Sequence, residues 1–132
     1  SEATLDPVVQ EQMLYDRALA SYKEGRYEDA MEGFNAFLKR YPKSDHSDNA
    51  HFWIGECHMN LKQYEQAILA YQNVIKDFPK GNKVPSALLR QAAAFGEIKD
   101  KTSARLLLKK IIKNYPKSNE AKIAQKRLET IK

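Results

Sequence analysis

With 132 residues, a mass of 15.2 kDa, 42% hydrophobic and 30% charged side chains, the chain has the proportions of one soluble, well-ordered domain, which argues against disorder. It contains no apolar run approaching the roughly 18 residues of a membrane span, no basic-then-apolar leader, and only one cysteine, Cys57, so an internal disulfide is excluded. The net charge of +5 is unevenly placed: residues 1–98 carry 11 basic against 14 acidic side chains, a net −3, whereas residues 99–132 carry 11 against 3, a net +8. A solvated polar face accounts for that basic last quarter, and so does an acidic partner or an anionic lipid surface. Opening on Ser1 without Met is expected of a processed or truncated chain, which leaves targeting open.

The predicted elements follow in order. Asp6-Pro7 starts a first helix, because Asp accepts a bond from a free N–H and Pro needs no donor in the first turn. It runs to about Glu24 and stops at Gly25, the residue best suited to a left-handed terminus. A second helix spans 27–40, with Ala30, Phe34, Phe37 and Leu38 spaced three and four apart on one face, and Tyr41-Pro42 ends it. Ser44 is expected to cap a third helix reaching about Asn60, with Asp45 and Asp48 in its first turn. A fourth runs from Tyr64 to Asp77. The fifth begins around 82–85 and continues to Ile98, and the sixth returns from Thr102 to Asn114 with Leu106, Leu107, Leu108, Ile111 and Ile112 as the most apolar stretch. The seventh, capped by Ser118 and running from Asn119 to Ile131, is apolar on one side and polar on the other.

These helices repeat. Tyr41-Pro42-Lys43-Ser44, Phe78-Pro79-Lys80-Gly81 and Tyr115-Pro116-Lys117-Ser118 recur at an interval of 37 residues, and the same shift superposes Ala30, Ala67 and Ala104, and Phe34, Tyr71 and Leu108. A fixed period of this length without Gly-rich or β-branched bias marks a stacked helical array. The residues Gly25, Tyr27, Ala30, Phe34 and Pro42, like Gly55, Tyr64, Ala67, Tyr71 and Pro79, resemble the signature positions of tetratricopeptide repeats. The expected fold is therefore all-α: a right-handed superhelical stack of three tetratricopeptide helix pairs (7–44, 45–81 and 82–118) and a C-terminal capping helix (119–132), preceded at 1–6 by a disordered tail or a remnant foreign to the fold. The common unit is about 34 residues, and the surplus here follows the Pro. Arg17 and Gln91 stand where an apolar residue is usual, so the end units are expected to pack less tightly than the middle one.

Three phrases narrow the resemblance: 34–44 (FNAFLKRYPKS), 48–56 (DNAHFWIGE) and 83–89 (KVPSALL) are similar to the C-terminal domain of the YbgF family, the periplasmic Tol-Pal system proteins also called cell division coordinators. That resemblance implies a non-catalytic adaptor in the periplasm that links outer-membrane constriction to cell-wall synthesis, with TolA or another Tol-Pal or cell-wall synthesis component as partner. It also implies an upstream trimeric coiled coil, whose heptads are absent from residues 1–11, and a monomeric state for the present stretch. The alternative is a structural subunit of outer-membrane protein assembly similar to the BamD lipoprotein, whose repeats share the Tyr-Pro-x-Ser ending.

For chemistry the residues offer little. No nucleophile elbow, phosphate loop or paired-carboxylate motif is present, and no cofactor is implied. His46, His51, Cys57 and His58 crowd one stretch, but His51 and His58 lie about 10 Å apart along a helix and do not converge with the four ligands usual for structural zinc, so no metal site is expected. The basic residues lack interleaved aromatics, which argues against nucleic acid. Binding of a peptide or helix is the better prospect. The first helix of each unit should line the concave face, and helical spacing selects Tyr15, Leu19 and Tyr22, then Phe52, Trp53, Glu56 and Met59, then Leu89, Arg90 and Ala93 as groove residues. Packing between adjacent first helices is the competing reading for Leu89 and Ala93, and Trp53 is divided between core and groove. A clamp for chaperone C-termini would need Lys and Asn where Tyr15, Leu19, Trp53, Ser86 and Arg90 stand, and only Arg90 suits it. Lys109, Lys113 and Lys126 form a candidate basic patch.

Overall fold

In the computed structural model, which describes residues 1 and 4–131, the 37-residue period is written directly into the helices. Helices α2 (Tyr27–Arg40), α4 (Tyr64–Asp77) and α6 (Lys101–Asn114) are translated copies, as are α3 (Ser47–Asn60) and α5 (Val84–Glu97); α1 spans Pro7–Lys23 and α7 spans Asn119–Thr130. Among the described residues there are seven α-helices, joined by short turns, and no strand.

Local chemistry sets the boundaries. The Asp6 carboxylate accepts from the Val8 N–H at 2.9 Å, Asp100 from Ser103 N–H at 3.0 Å, and Ser118 Oγ from Ala121 N–H at 3.0 Å, each satisfying a free donor of a helix start. Each helix pair closes through a left-handed residue one period apart, Gly25 (φ 78°), Lys62 (φ 58°) and Lys99 (φ 68°). The expectation for Ser44 needs correcting: α3 begins at Ser47, three residues later. Ser44 Oγ accepts from His46 N–H, while the buried Ser47 Oγ accepts from Ser44 N–H at 2.8 Å and donates to Tyr41 O at 2.6 Å. The polar residues after Pro42 thus tie a turn between units. Asp6, at the edge of the expected 1–6 tail, accepts the capping bond; residues 2 and 3 lie outside the described residues, as does Lys132 at the end of the expected cap.

Each helix packs on its neighbours in sequence, with further contacts from α1 to α3 and from α5 to α7, so the first helices of the units line one layer and the second helices the other. Ala30, Ala67 and Ala104 are at most 2% exposed at the crossings, and Phe34, Tyr71 and Leu108 fill the space one turn on. The interior divides into three clusters strung along the stack: one around Tyr15, Phe34 and Phe37, one around Phe52, Tyr71 and Val74, and one around Leu88, Leu108 and Ile111. Ala121 and Ala124 of α7 close the last cluster.

Two packing expectations change. Gln91 is buried, yet its amide donates to Ile68 O and to Gln72 Oε1, both at 3.0 Å, so it joins α5 to α4 instead of loosening the third unit. Leu106, counted with the apolar stretch of α6, is 63% exposed on the outer layer, because the buried face of α6 is taken by Ala104, Leu108 and Ile111.

Candidate functional site

Along the inner layer, α1 and α3 bring aromatic side chains of different units together. Trp53 Nε1 donates to Tyr15 Oη at 3.0 Å, across 38 residues of sequence. Tyr15 is held from three sides: it stacks on His46 at 4.6 Å and meets Phe34 and Phe37 edge-on at 5.8 and 5.7 Å. The Tyr22 ring lies 4.9 Å from Trp53 and 5.5 Å from Tyr27, and Asn60 Nδ2 donates to its hydroxyl at 3.3 Å. Tyr22 and Trp53 are half-buried, packed against the first cluster, and the polar atom of each is already engaged.

Beside this aromatic wall sits an ion pair. Glu56 Oε2 accepts from Arg90 Nε at 2.8 Å and from the hydroxyl of the buried Tyr71, so one carboxylate ties α3 to α4 and α5. Its side chain is 14% exposed and that of Arg90 34%, which leaves the arginine as the member that reaches the surface. Burial, then the Glu56 charge, raises the Tyr71 hydroxyl well above its usual range, and it stays protonated as a donor. Burial works against the Arg90 charge, but the bond to Glu56 and its charge outweigh it and hold the guanidinium above its ordinary value.

Two hollows extend the face. One of about 180 Å³ is bounded by Met59, Asn60, Tyr64, Arg90 and Glu97. The other, about 350 Å³ between α5, α6 and α7, owes its space to the small residues Ala92, Ala93 and Gly96 and has Arg127 on its rim.

The expected groove residues therefore divide. Tyr22, Trp53, Met59 and Arg90 are partly exposed on one face with Glu56 beneath Arg90, Ala93 floors the larger hollow, and Leu19 is half-buried against the first cluster. Tyr15, Phe52 and Leu89 are only 7%, 8% and 7% exposed, a correction to their place as groove anchors. Helical spacing selects the right side of α1, α3 and α5, but that side also meets the next inner helix. Phe52 packs on Tyr71 at 5.6 Å beneath the Lys83 ammonium, and Leu89 faces the cluster closed by α7. Asn60, Gly96 and Glu97 were not selected by spacing; the small run Ala92-Ala93-Ala94 was the available signal for the hollow. Lys109 and Lys113 on α6 and Lys126 on α7 are exposed and belong to different layers.

The face has no nucleophile to offer. Cys57 is fully buried and burial pushes its thiol up to about 12, which keeps it uncharged. Burial also lowers His51, near Phe78 on the far side of α3, below its usual value. Among the described residues no three His, Cys, Asp or Glu side chains converge as metal ligands. Aromatic side chains, one positioned charge, a polar hollow and an apolar one are the means of recognising a polypeptide side chain by side chain.

Known proteins share this architecture. The Yersinia enterocolitica type III secretion translocator chaperone SycD superposes with a TM-score of 0.76 at 24% identity, over 96% of both chains. SycD in complex with a peptide of the translocator YopD gives 0.75 at 23% identity, over 99% of this chain and 93% of that one. The first tetratricopeptide domain of RPAP3 bound to an HSP90 peptide gives 0.73 at 16% identity, over 92% and 89%. At these identities the likeness is one of fold: a tetratricopeptide domain. In sequence, the chain is similar to the cell division coordinator CpoB of Pseudomonas putida, 39% identical over 54 residues, 41% of this chain and 20% of that protein. CpoB of Escherichia coli K12 is 38% identical over 47 residues, 35% of this chain and 18% of that protein, so the matched stretch spans about a fifth of these relatives. A family match covers far more: with residues 7–132 matching the YfiO outer membrane lipoprotein family, the chain belongs to that family.

Proposed function

We propose that this domain is a non-catalytic protein-interaction adaptor of the periplasmic cell-division machinery, which grips a peptide or helix of a partner on its inner face. The observation that carries the reading is the partly exposed pair Tyr22 and Trp53 on the same face as the Glu56–Arg90 ion pair. Both rings also pack against the first cluster, but rigid rings with few rotors that remain partly exposed are efficient anchors. The partial likeness to cell division coordinators supports the setting, and the resemblance to the YbgF family points to a segment of TolA or another Tol-Pal or cell-wall synthesis component as ligand. Peptide complexes of neighbours with the same fold support the mode of binding.

The test is titration with the periplasmic part of TolA. Replacing Tyr22 and Trp53 together by Ala should cost about 2 kcal/mol or more of binding, read at a temperature where the variant is shown folded, because Trp53 also bonds Tyr15. Undiminished binding by the folded double variant would defeat the inner-face reading.

The match to an outer membrane lipoprotein family favours a second reading, a structural subunit of outer-membrane protein assembly similar to the BamD lipoprotein. The residues encoded upstream separate the two: a lipidation motif supports the second and a coiled coil the first.

A further inference from the structure

The outer layer carries an apolar groove with no partner in the fold. Leu69 on α4 and Leu106 on α6 are 66% and 63% exposed, the same position in consecutive repeats, while the first unit has Glu32 there. Between them lies a cavity of about 320 Å³ whose floor includes Ile68, Leu107 and, from α5, Phe95. Fold stability does not ask for these leucines, since neither belongs to an interior cluster. Two thirds-exposed leucines over a shared hollow form a contiguous apolar patch of the kind that marks an interaction site.

The rim indicates the occupant. Along α6 the leucine is flanked by Arg105, Lys109 and Lys110, none of which forms an ion pair with a described acidic side chain. On the α4 side the exposed neighbours are Glu65, Gln66, Gln72 and Asn73, so basic charge borders the groove along α6 alone and an acid already stands on the opposite edge. The walls are helices whose backbone groups are internally bonded, so they give an extended strand nothing to pair with. A ligand here needs its own backbone hydrogen bonds satisfied, apolar side chains one turn apart, and acidic residues along one edge. Gln91, the polar group of the floor, already spends its amide on Ile68 and Gln72.

We infer that the α4–α6 groove is a second docking surface, distinct from the inner face, for an amphipathic helix of a partner protein with a leucine-like stripe bordered by Asp or Glu. The probe is a synthetic helical peptide of about four turns with Leu at i, i+3, i+4 and i+7 and Glu beside the stripe, followed by amide chemical-shift perturbation and fluorescence anisotropy. Shifts should concentrate on α4, α6 and Phe95. Leu69→Ser with Leu106→Ser should weaken binding about tenfold or more without lowering the melting temperature, as both side chains are exposed. Arg105→Glu with Lys109→Glu, or Gln for Glu in the peptide, should weaken it several-fold and flatten its salt dependence. Perturbation confined to Tyr22 and Trp53, or unchanged affinity in the leucine variant, would overturn the inference. So would concentration-dependent self-association of the free domain that Leu106→Ser abolishes, because the groove would then belong to a second copy.

Discussion

At the scale of single residues, the turn inside each helix pair shows how one conformational demand is met with different chemistry. Gly25, Lys62 and Lys99 hold the same left-handed place, yet only glycine enters that region without crowding its own Cβ, at a cost to other residues of about 1–2 kcal/mol. Part of that cost is offset by the greater freedom glycine loses on folding. Lys62→Gly and Lys99→Gly should therefore each stabilise the domain by about 0.5–1 kcal/mol, and Gly25→Ala should destabilise it by a similar amount, although space is open around it. Denaturant titration of the three variants decides: a loss of stability in both lysine variants would mean that their side chains contribute more than the backbone strain removes.

At the scale of elements, what was legible in the chain depended on whether the deciding contact was local. The boundaries of α2 and α4 follow from Tyr27, Tyr64 and the aromatic-Pro pairs that stop each helix, all local signals. The start of α3 did not follow, because Ser44 resembles a cap and its role in a turn is visible only when Ser47 is seen bonding back to Tyr41. The groove was legible in part for the same reason. Spacing placed Tyr22, Trp53 and Arg90 on the inner side, but the burial of Phe52 is decided by Tyr71, on the next helix. The middle crossing is the tightest of these encounters. A Cβ built on Gly55 would lie 2.4 Å from the Tyr71 ring, and Ala67 beside it is fully buried. Gly55→Ala must displace a ring that also donates to Glu56, and Ala67→Leu must admit three further carbons, so each should cost about 1–3 kcal/mol. Melts of both variants with no loss would place the crossing elsewhere.

On the scale of the whole molecule, three clusters in series make stability a property of neighbours. Helix α3 supplies Ala50, Ile54 and Cys57 to the first cluster and Phe52 to the second; α4 supplies Ala70 to the first and Ala67, Tyr71 and Val74 to the second. Helix α5 then joins the second to the third through Ala87 and Leu88. The middle unit is thus supported from both sides, and the Glu56 contacts to Tyr71 and Arg90 fasten the same three helices on the inner face. Helix α1 is covered by fewer elements, and α7 contributes only Ala121 and Ala124 as fully buried residues. Native-state hydrogen exchange should accordingly be slowest in α3, α4 and α5, faster in α1 and α6, and fastest in α7 and the first turn of α1. Ala67→Leu should lower protection in the first and third units as well as its own, because each loses a supporting neighbour. A single uniform opening energy across all seven helices would instead mean that the array unfolds as one cooperative body, and that the division into clusters has no energetic counterpart.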